Sequence, residues 1–145
     1  MISIEYLAGF FDGEGYVGVA KHRSGNYILQ MSISNTELLL LQSIQAEYGG
    51  KIHLSPERRS QIRKPAYHIH WWGIGVKNMA TLLLPYTKIK GSQLKLALEF
   101  PVGKRGGWQR NSIGRFARDQ TTHKKREEIY VQMKREKGIR EVTKE

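Results

Sequence analysis

The chain has 145 residues, no cysteine, and 24 Lys and Arg against 13 Asp and Glu, which gives a net charge of +11 and a pI near 10.0. That length suits one domain with a genuine core, and the charge points to a polyanionic partner. The lack of cysteine excludes disulfides and thiolate metal sites, and the longest apolar run, Leu38 to Leu41, is far too short to cross a membrane.

The excess charge is uneven. Residues 1–100 hold eleven basic against seven acidic side chains, whereas residues 101–145 hold thirteen against six. The pattern divides the chain into a core over 1–100, a basic linker over 101–121 and a basic helical tail over 122–145. No charged-then-apolar leader precedes the first helix, so the expected location is intracellular: the cytoplasm, or an organelle matrix if the protein is organelle-encoded.

Ser3 to Asp12 has the pattern of a helix, with Ser3 as N-cap, Glu5 in the first turn and Leu7, Phe10 and Phe11 as an apolar stripe. Gly13 to Gly15 ends it. Gly9 and Gly13 lie four apart and so strip one helix face of side chains, which lets a second helix backbone approach closely. Glu14 then falls at the helix C-terminus, where free carbonyls already make the potential negative and a carboxylate calls for a cation. Two such helices side by side would join two Glu14 carboxylates into a divalent-metal site.

Tyr16 to Arg23 and Tyr27 to Asn35 read as two strands around a Ser24-Gly25-Asn26 turn. Alternation sets Val17, Val19, Leu29, Met31 and Ile33 on one face, and Tyr16, Gly18, Ala20, His22, Ile28, Gln30, Ser32 and Ser34 on the other. Thr36-Glu37 opens a second helix with Leu38, Leu41, Ile44 and Tyr48, stopped by Gly49-Gly50. A second hairpin follows, Lys51 to Ser55 and Ala66 to Trp72, joined by a long polar connection between Pro56 and Pro65. Val76 to Leu84 and Ser92 to Phe100 are helical, punctuated by Pro85 and Gly91. Pro101 to Gly114 looks like a linker. Thr122 to Lys137 is a charged helix whose apolar stripe is Ile129, Tyr130 and Met133; docking on the core, lying on DNA and remaining mobile are all open to it.

The run Leu7-Ala8-Gly9-Phe10-Phe11-Asp12-Gly13-Glu14-Gly15 resembles the LAGLIDADG motif of the homing endonucleases. Seven positions match closely: Leu7, Ala8, Gly9, Phe10, Phe11, Asp12 and Gly15. Gly13 replaces the motif's alanine and Glu14 its second aspartate. The element order over residues 3–100 is that of the family's α+β αββαββα core, in which a twisted antiparallel sheet forms a DNA-binding saddle; C-terminal helices would be additions to it. With one motif in the chain, the resemblance implies a homodimer that cuts both strands of a long pseudo-palindromic duplex with divalent metal, Mg2+ or Mn2+, with Ca2+ as a non-catalytic substitute.

The resemblance also assigns residues. Glu14 would be the metal ligand, assisted by the Gly13 carbonyl, while Leu7, Ala8, Gly9, Phe10, Asp12 and Gly13 would form the dimer interface. Asp12 and Glu14 point roughly opposite ways on a helix and cannot chelate one ion together, so Asp12 is expected in capping and interface structure. Asn35 stands where the family places a water-orienting glutamine, although Asn35-Thr36 is also a natural helix N-cap. Lys90, with Lys88 as substitute, falls in Pro85-Tyr86-Thr87-Lys88-Ile89-Lys90, which resembles the family's Pro-aromatic-x-Lys-hydrophobic-Lys segment; it can stabilise developing charge on a cleaved phosphate.

DNA contact is expected from the polar strand face: Tyr16, Gly18, Ala20, His22, Ile28, Gln30, Ser32, Lys51, His53, Ser55, His68, His70 and Trp72. Arg23, Arg58, Arg59, Arg63 and Lys64 sit at hairpin tips, where phosphate contact is simpler. His68 and His70 share a face, but with no third ligand nearby they read as DNA contacts rather than a zinc pair. A strand of about eight residues at ~3.3 Å each spans ~26 Å, or roughly eight base pairs at ~3.4 Å, so two half-sites imply on the order of 16–22 base pairs. The rivals are an intron-RNA splicing cofactor on the same scaffold and a generic monomeric RNA binder.

Overall fold

The computed structural model describes residues 1–55, 65–102, 108–110, 116–118 and 120–138. Helix α1 runs Ile4–Glu14, and Ser3 caps it by accepting the Tyr6 N–H at 3.2 Å. Strands β1 (Gly15–Lys21) and β2 (Tyr27–Asn35) form the first hairpin, α2 follows at Leu38–Tyr48, and β3 (Lys51–Leu54) and β4 (Tyr67–Trp72) form the second. Gly49 (φ 72°) and Gly50 (φ 97°) turn the chain sharply after α2, in a backbone region that side chains disfavour. Next come α3 (Ile74–Leu83) and α4 (Gly91–Glu99).

The four strands form one antiparallel sheet in the order β1-β2-β4-β3, so β1 is an edge. The register sorts the side chains as alternation predicts. Val17, Val19, Leu29, Met31, Ile33, Ile69 and Trp71 are buried under the helices, together with Leu7, Ala8 and Phe11 of α1 and Leu41 and Ile44 of α2. On the other face Tyr16 and Trp72 stay exposed. Among the described residues no helix is long and apolar enough to cross a membrane.

The C-terminal region is more than a linker and a tail, and of the three placements open to its helix it takes docking on the core. Within the expected linker, β5 (Trp108–Arg110) and β6 (Phe116–Arg118) pair antiparallel. Helix α5 (Gln120–Glu136) packs on β1, β2 and α4, and its Ile129 and Met133 are fully buried members of the main core. Tyr27 and Phe100 receive it: Tyr130 lies against the Tyr27 ring at 5.2 Å, and Arg126, itself buried, donates to the Pro101 carbonyl at 2.9 Å with its guanidinium over Phe100. The core therefore extends beyond residue 100. An amphipathic helix buries its stripe wherever an apolar edge is left open, and here that edge is β1.

Candidate active site and nucleic-acid interface

The site begins where α1 ends. Gly15 closes the helix by donating its N–H to the Phe11 carbonyl. A β-carbon at Gly15 would run into the Phe11 ring and lie 2.6 Å from that carbonyl, so the glycine is needed for the chain to pass straight from helix to strand. Gly13 and Glu14 are exposed at this junction. Among the described residues the Glu14 carboxylate makes no hydrogen bond or ion pair.

Lys90 arrives from the loop between α3 and α4. Its Nζ donates to the carbonyls of Phe11 at 3.0 Å and Asp12 at 2.7 Å, a cation closing the negative end of α1. Asp12 holds it there in return: its carboxylate accepts the backbone N–H of Lys88 at 2.7 Å and of Lys90 at 3.2 Å. Burial lowers the Lys90 pKa, opposed by the neighbouring charges of Asp12 and Glu14. A lysine whose loop is held by Asp12 thus stands within the field of the free Glu14 carboxylate.

Three expected interface residues of α1 are placed otherwise. Leu7 and Ala8 are 0% exposed and packed inside the protomer's own core, because they lie on the inward side of the helix. Asp12 is committed to the 88–90 loop. The outward side carries Gly9, Gly13 and the stacked pair Tyr6 and Phe10, with ring centroids 6.2 Å apart. A β-carbon on Gly9 or Gly13 would meet nothing within 4 Å, so nothing inside this chain requires glycine there.

Asn35 behaves as a cap. Its Oδ1 accepts the Glu37 N–H at 2.8 Å at the entry to α2, which occupies that oxygen at the end of β2.

The polar sheet face is assembled in rows across the strands: Tyr16, Ser32, His70 and Lys51; Gly18, Gln30 and Trp72; Ser34, His68 and His53; with Ala20 opposite Ile28 at the outer end. His22 and Arg23 are exposed at the hairpin end. His70 stacks on Trp72 at 5.3 Å and meets His53 at 5.4 Å. Burial and the proximity of His68 and His53 hold the His70 pKa below its ordinary value. Both ring nitrogens of His68 are engaged, by the Ser34 and Ser55 hydroxyls, which fixes the ring. Among the described residues no group of three His, Cys, Asp or Glu could hold a metal ion. Arg58, Arg59, Arg63 and Lys64 lie outside the described residues.

Gly18 is a correction. It is buried on the polar face, because Lys137 from the end of α5 lies over it. The Lys137 Nζ sits 3.7 Å from the centre of the Tyr16 ring, and burial together with the nearby Lys90 charge lowers its pKa to about 8. The sequence held a signal for this residue that composition hides: Lys137 continues the stripe of Ile129 and Met133 at the next four-residue step.

No family model matches the sequence, and no curated protein matches it. Solved structures do match. One is the homing endonuclease I-CvuI in complex with the I-CreI target in the presence of 2 mM Mg, with the DNA not cleaved: TM-score 0.56, 21% identity, over 67% of this chain and 64% of that one. The archaeal intron-encoded homing endonuclease I-Vdi141I complexed with DNA matches with TM-score 0.53 and 20% identity, over 67% and 65%. The LAGLIDADG meganuclease I-CpaMI bound to uncleaved DNA matches with TM-score 0.55 and 18% identity, over 68% and 35%. The chain spans just under two thirds of the first two structures and about a third of the last. At such identities the likeness establishes the fold.

Proposed function

We infer that this chain, which has the LAGLIDADG homing endonuclease fold, is a site-specific DNA endonuclease that works as a homodimer with divalent metal ions. The observation that carries this reading is the free Glu14 carboxylate at the end of α1, beside a Lys90 whose ammonium is already fixed. Structures of the same fold are bound to DNA, which supports a duplex as the partner of the polar sheet face.

Glu14 suits a hard cation of the Mg2+, Mn2+ or Ca2+ kind, because its oxygens make no hydrogen bond or ion pair among the described residues and it is exposed together with Gly13, the residue before it. One protomer offers one such carboxylate. A second, brought up along the open Gly9 and Gly13 face, would double it about a two-fold axis. When bound, the metal polarises the phosphate and acidifies a water. Lys90 donates two of its three ammonium protons to α1 carbonyls, which leaves the third for a phosphate oxygen on which charge develops. Ser32, His70 and Lys51 in one row and Gln30 and Trp72 in the next offer a hydroxyl, rings, an amide and a cation to base edges and backbone in the major groove.

The test is a cleavage screen over a randomised duplex library with Mg2+. Wild-type protein is expected to cut one site on both strands, chelator to stop it, and Glu14→Gln to abolish cutting while binding of the same site persists. Cutting by Glu14→Gln at the wild-type rate refutes the mechanism. Specific RNA binding without cleavage would point instead to a splicing cofactor.

A further inference from the structure

We propose that Lys137, delivered by α5 around the edge strand β1, is a phosphate-binding residue of the candidate site and acts beside Lys90 on a DNA backbone phosphate. This rests on the reading of the polar sheet face as a DNA surface.

Its position is built. Ile129 and Met133 anchor α5 in the core, Arg126 ties it to Pro101, and the Lys137 N–H still donates to the Met133 carbonyl at 3.2 Å. From that anchored end the side chain reaches over β1 to the face that carries Tyr16 and Gly18. A β-carbon on Gly18 would lie 2.6 Å from the Lys137 Nζ and 2.5 Å from the Tyr16 hydroxyl, so the glycine is the space the ammonium occupies. Glycine inside a strand gives up packing and ordering entropy, a cost that makes sense if the space is used.

The electrostatics are unfinished. Lys137 lies within the field of Lys90, and both ammonium groups are partly withdrawn from water. Among the described residues no carboxylate forms an ion pair with Lys137; its partner is the Tyr16 ring. Two like charges that feel each other and are partly withdrawn from water repel, and an anion taken up by both relieves that repulsion. The strand beneath Lys137 begins at Gly15, directly after Glu14, and Lys137 feels the charge of Lys90, which in turn feels that of Glu14, so α5 and the α3–α4 loop each bring one lysine to this end of the sheet. A phosphodiester with two non-bridging oxygens is the anion that this surface meets.

The experiment uses the full chain, a random-sequence duplex and no metal, so it reads phosphate contact independently of cleavage. Lys137→Met is expected to weaken binding about fivefold and to reduce the salt dependence of binding by about one counterion; Lys137→Arg restores both. Gly18→Ala, which displaces the ammonium without removing it, produces a smaller loss of the same kind. In wild-type protein labelled at the lysine side chains, the Lys137 and Lys90 Nζ resonances shift together on adding duplex. If Lys137→Met only lowers the melting temperature, with affinity and salt slope unchanged and the resonances unmoved, the inference is overturned, whether or not the wild type cuts DNA. If wild-type protein never cuts yet Lys137 behaves as expected, the nuclease reading falls and this one stands.

Discussion

Asp12 has two backbone N–H groups on its carboxylate and its own carbonyl on the Lys90 ammonium, so it clamps the α3–α4 loop to the end of α1 from both sides. Hydrogen bonds to a charged acceptor contribute about 1.5–3 kcal/mol, and Asp12→Ala should therefore destabilise the fold by about 1–3 kcal/mol in urea unfolding. Cleavage should fall further than that loss explains, because the Lys90 ammonium loses its fixed position, whereas duplex affinity should change little; equal losses in both would show that Asp12 touches DNA directly. His70 titrates differently. Burial, His68 on its own strand and His53 on β3 hold its pKa below 6.5, with Lys51 opposite it in the register. The unfolded chain therefore takes up that proton first, and its contribution to stability is complete above pH 6.5 and falls as pH drops below it. A nearby phosphate acts in the opposite sense by favouring the imidazolium, so duplex affinity should rise as pH falls from about 7 to 5. His70→Gln should flatten that rise in a binding titration against pH, and an unchanged profile would place His70 away from the DNA.

Helix α5 is the element that the sequence under-described. Its stripe of Ile129, Tyr130 and Met133 was legible as an amphipathic face, but what the face meets depends on Tyr27 and Phe100, far away in the chain. Contacts at that separation leave no local pattern. The β5–β6 pair escaped for a similar reason: three-residue strands are too short to show alternation. The first hairpin and the two faces of the sheet were legible because period-two burial is local, and β2 runs from Tyr27 to Asn35 as read. The motif singled out Glu14 and the segment from Pro85 to Lys90 singled out Lys90, yet the pairing of Asp12 with the backbone of Lys88, 76 residues on, had no signature. Because Ile129 is 0% exposed and shares the main core, Ile129→Ala should cost about 2–5 kcal/mol. Tryptophan fluorescence, to which Trp71 and Trp72 of the sheet contribute, should then melt together with the helical signal in one shifted transition. A sheet that keeps its stability while α5 melts early would return α5 to the status of a tail.

At the scale of the whole molecule, the glycines of α1 decide between a complete protomer and half of an assembly. Within a helix, glycine is about 1 kcal/mol less favourable than alanine, and a conformational or steric need inside the chain usually accounts for it. Gly15 has such a need, in the Phe11 ring. Gly9 and Gly13 have none: both are helical and exposed, and an added β-carbon meets nothing within 4 Å. The deficit makes sense if another surface must come close to the helix backbone, and a second copy of α1 is the surface that would also supply a second Glu14. Replacing Gly9 or Gly13 with leucine should therefore leave the fold as stable as wild type or more so in denaturant, while shifting sedimentation from dimer to monomer and removing double-strand cleavage. Glycine to alanine at both positions should raise protomer stability by about 1–2 kcal/mol and weaken association less than leucine does. A Gly9→Leu protein that stays dimeric and cuts normally would mean that this face is merely exposed, and that the carboxylates meet through some other contact or do not meet at all.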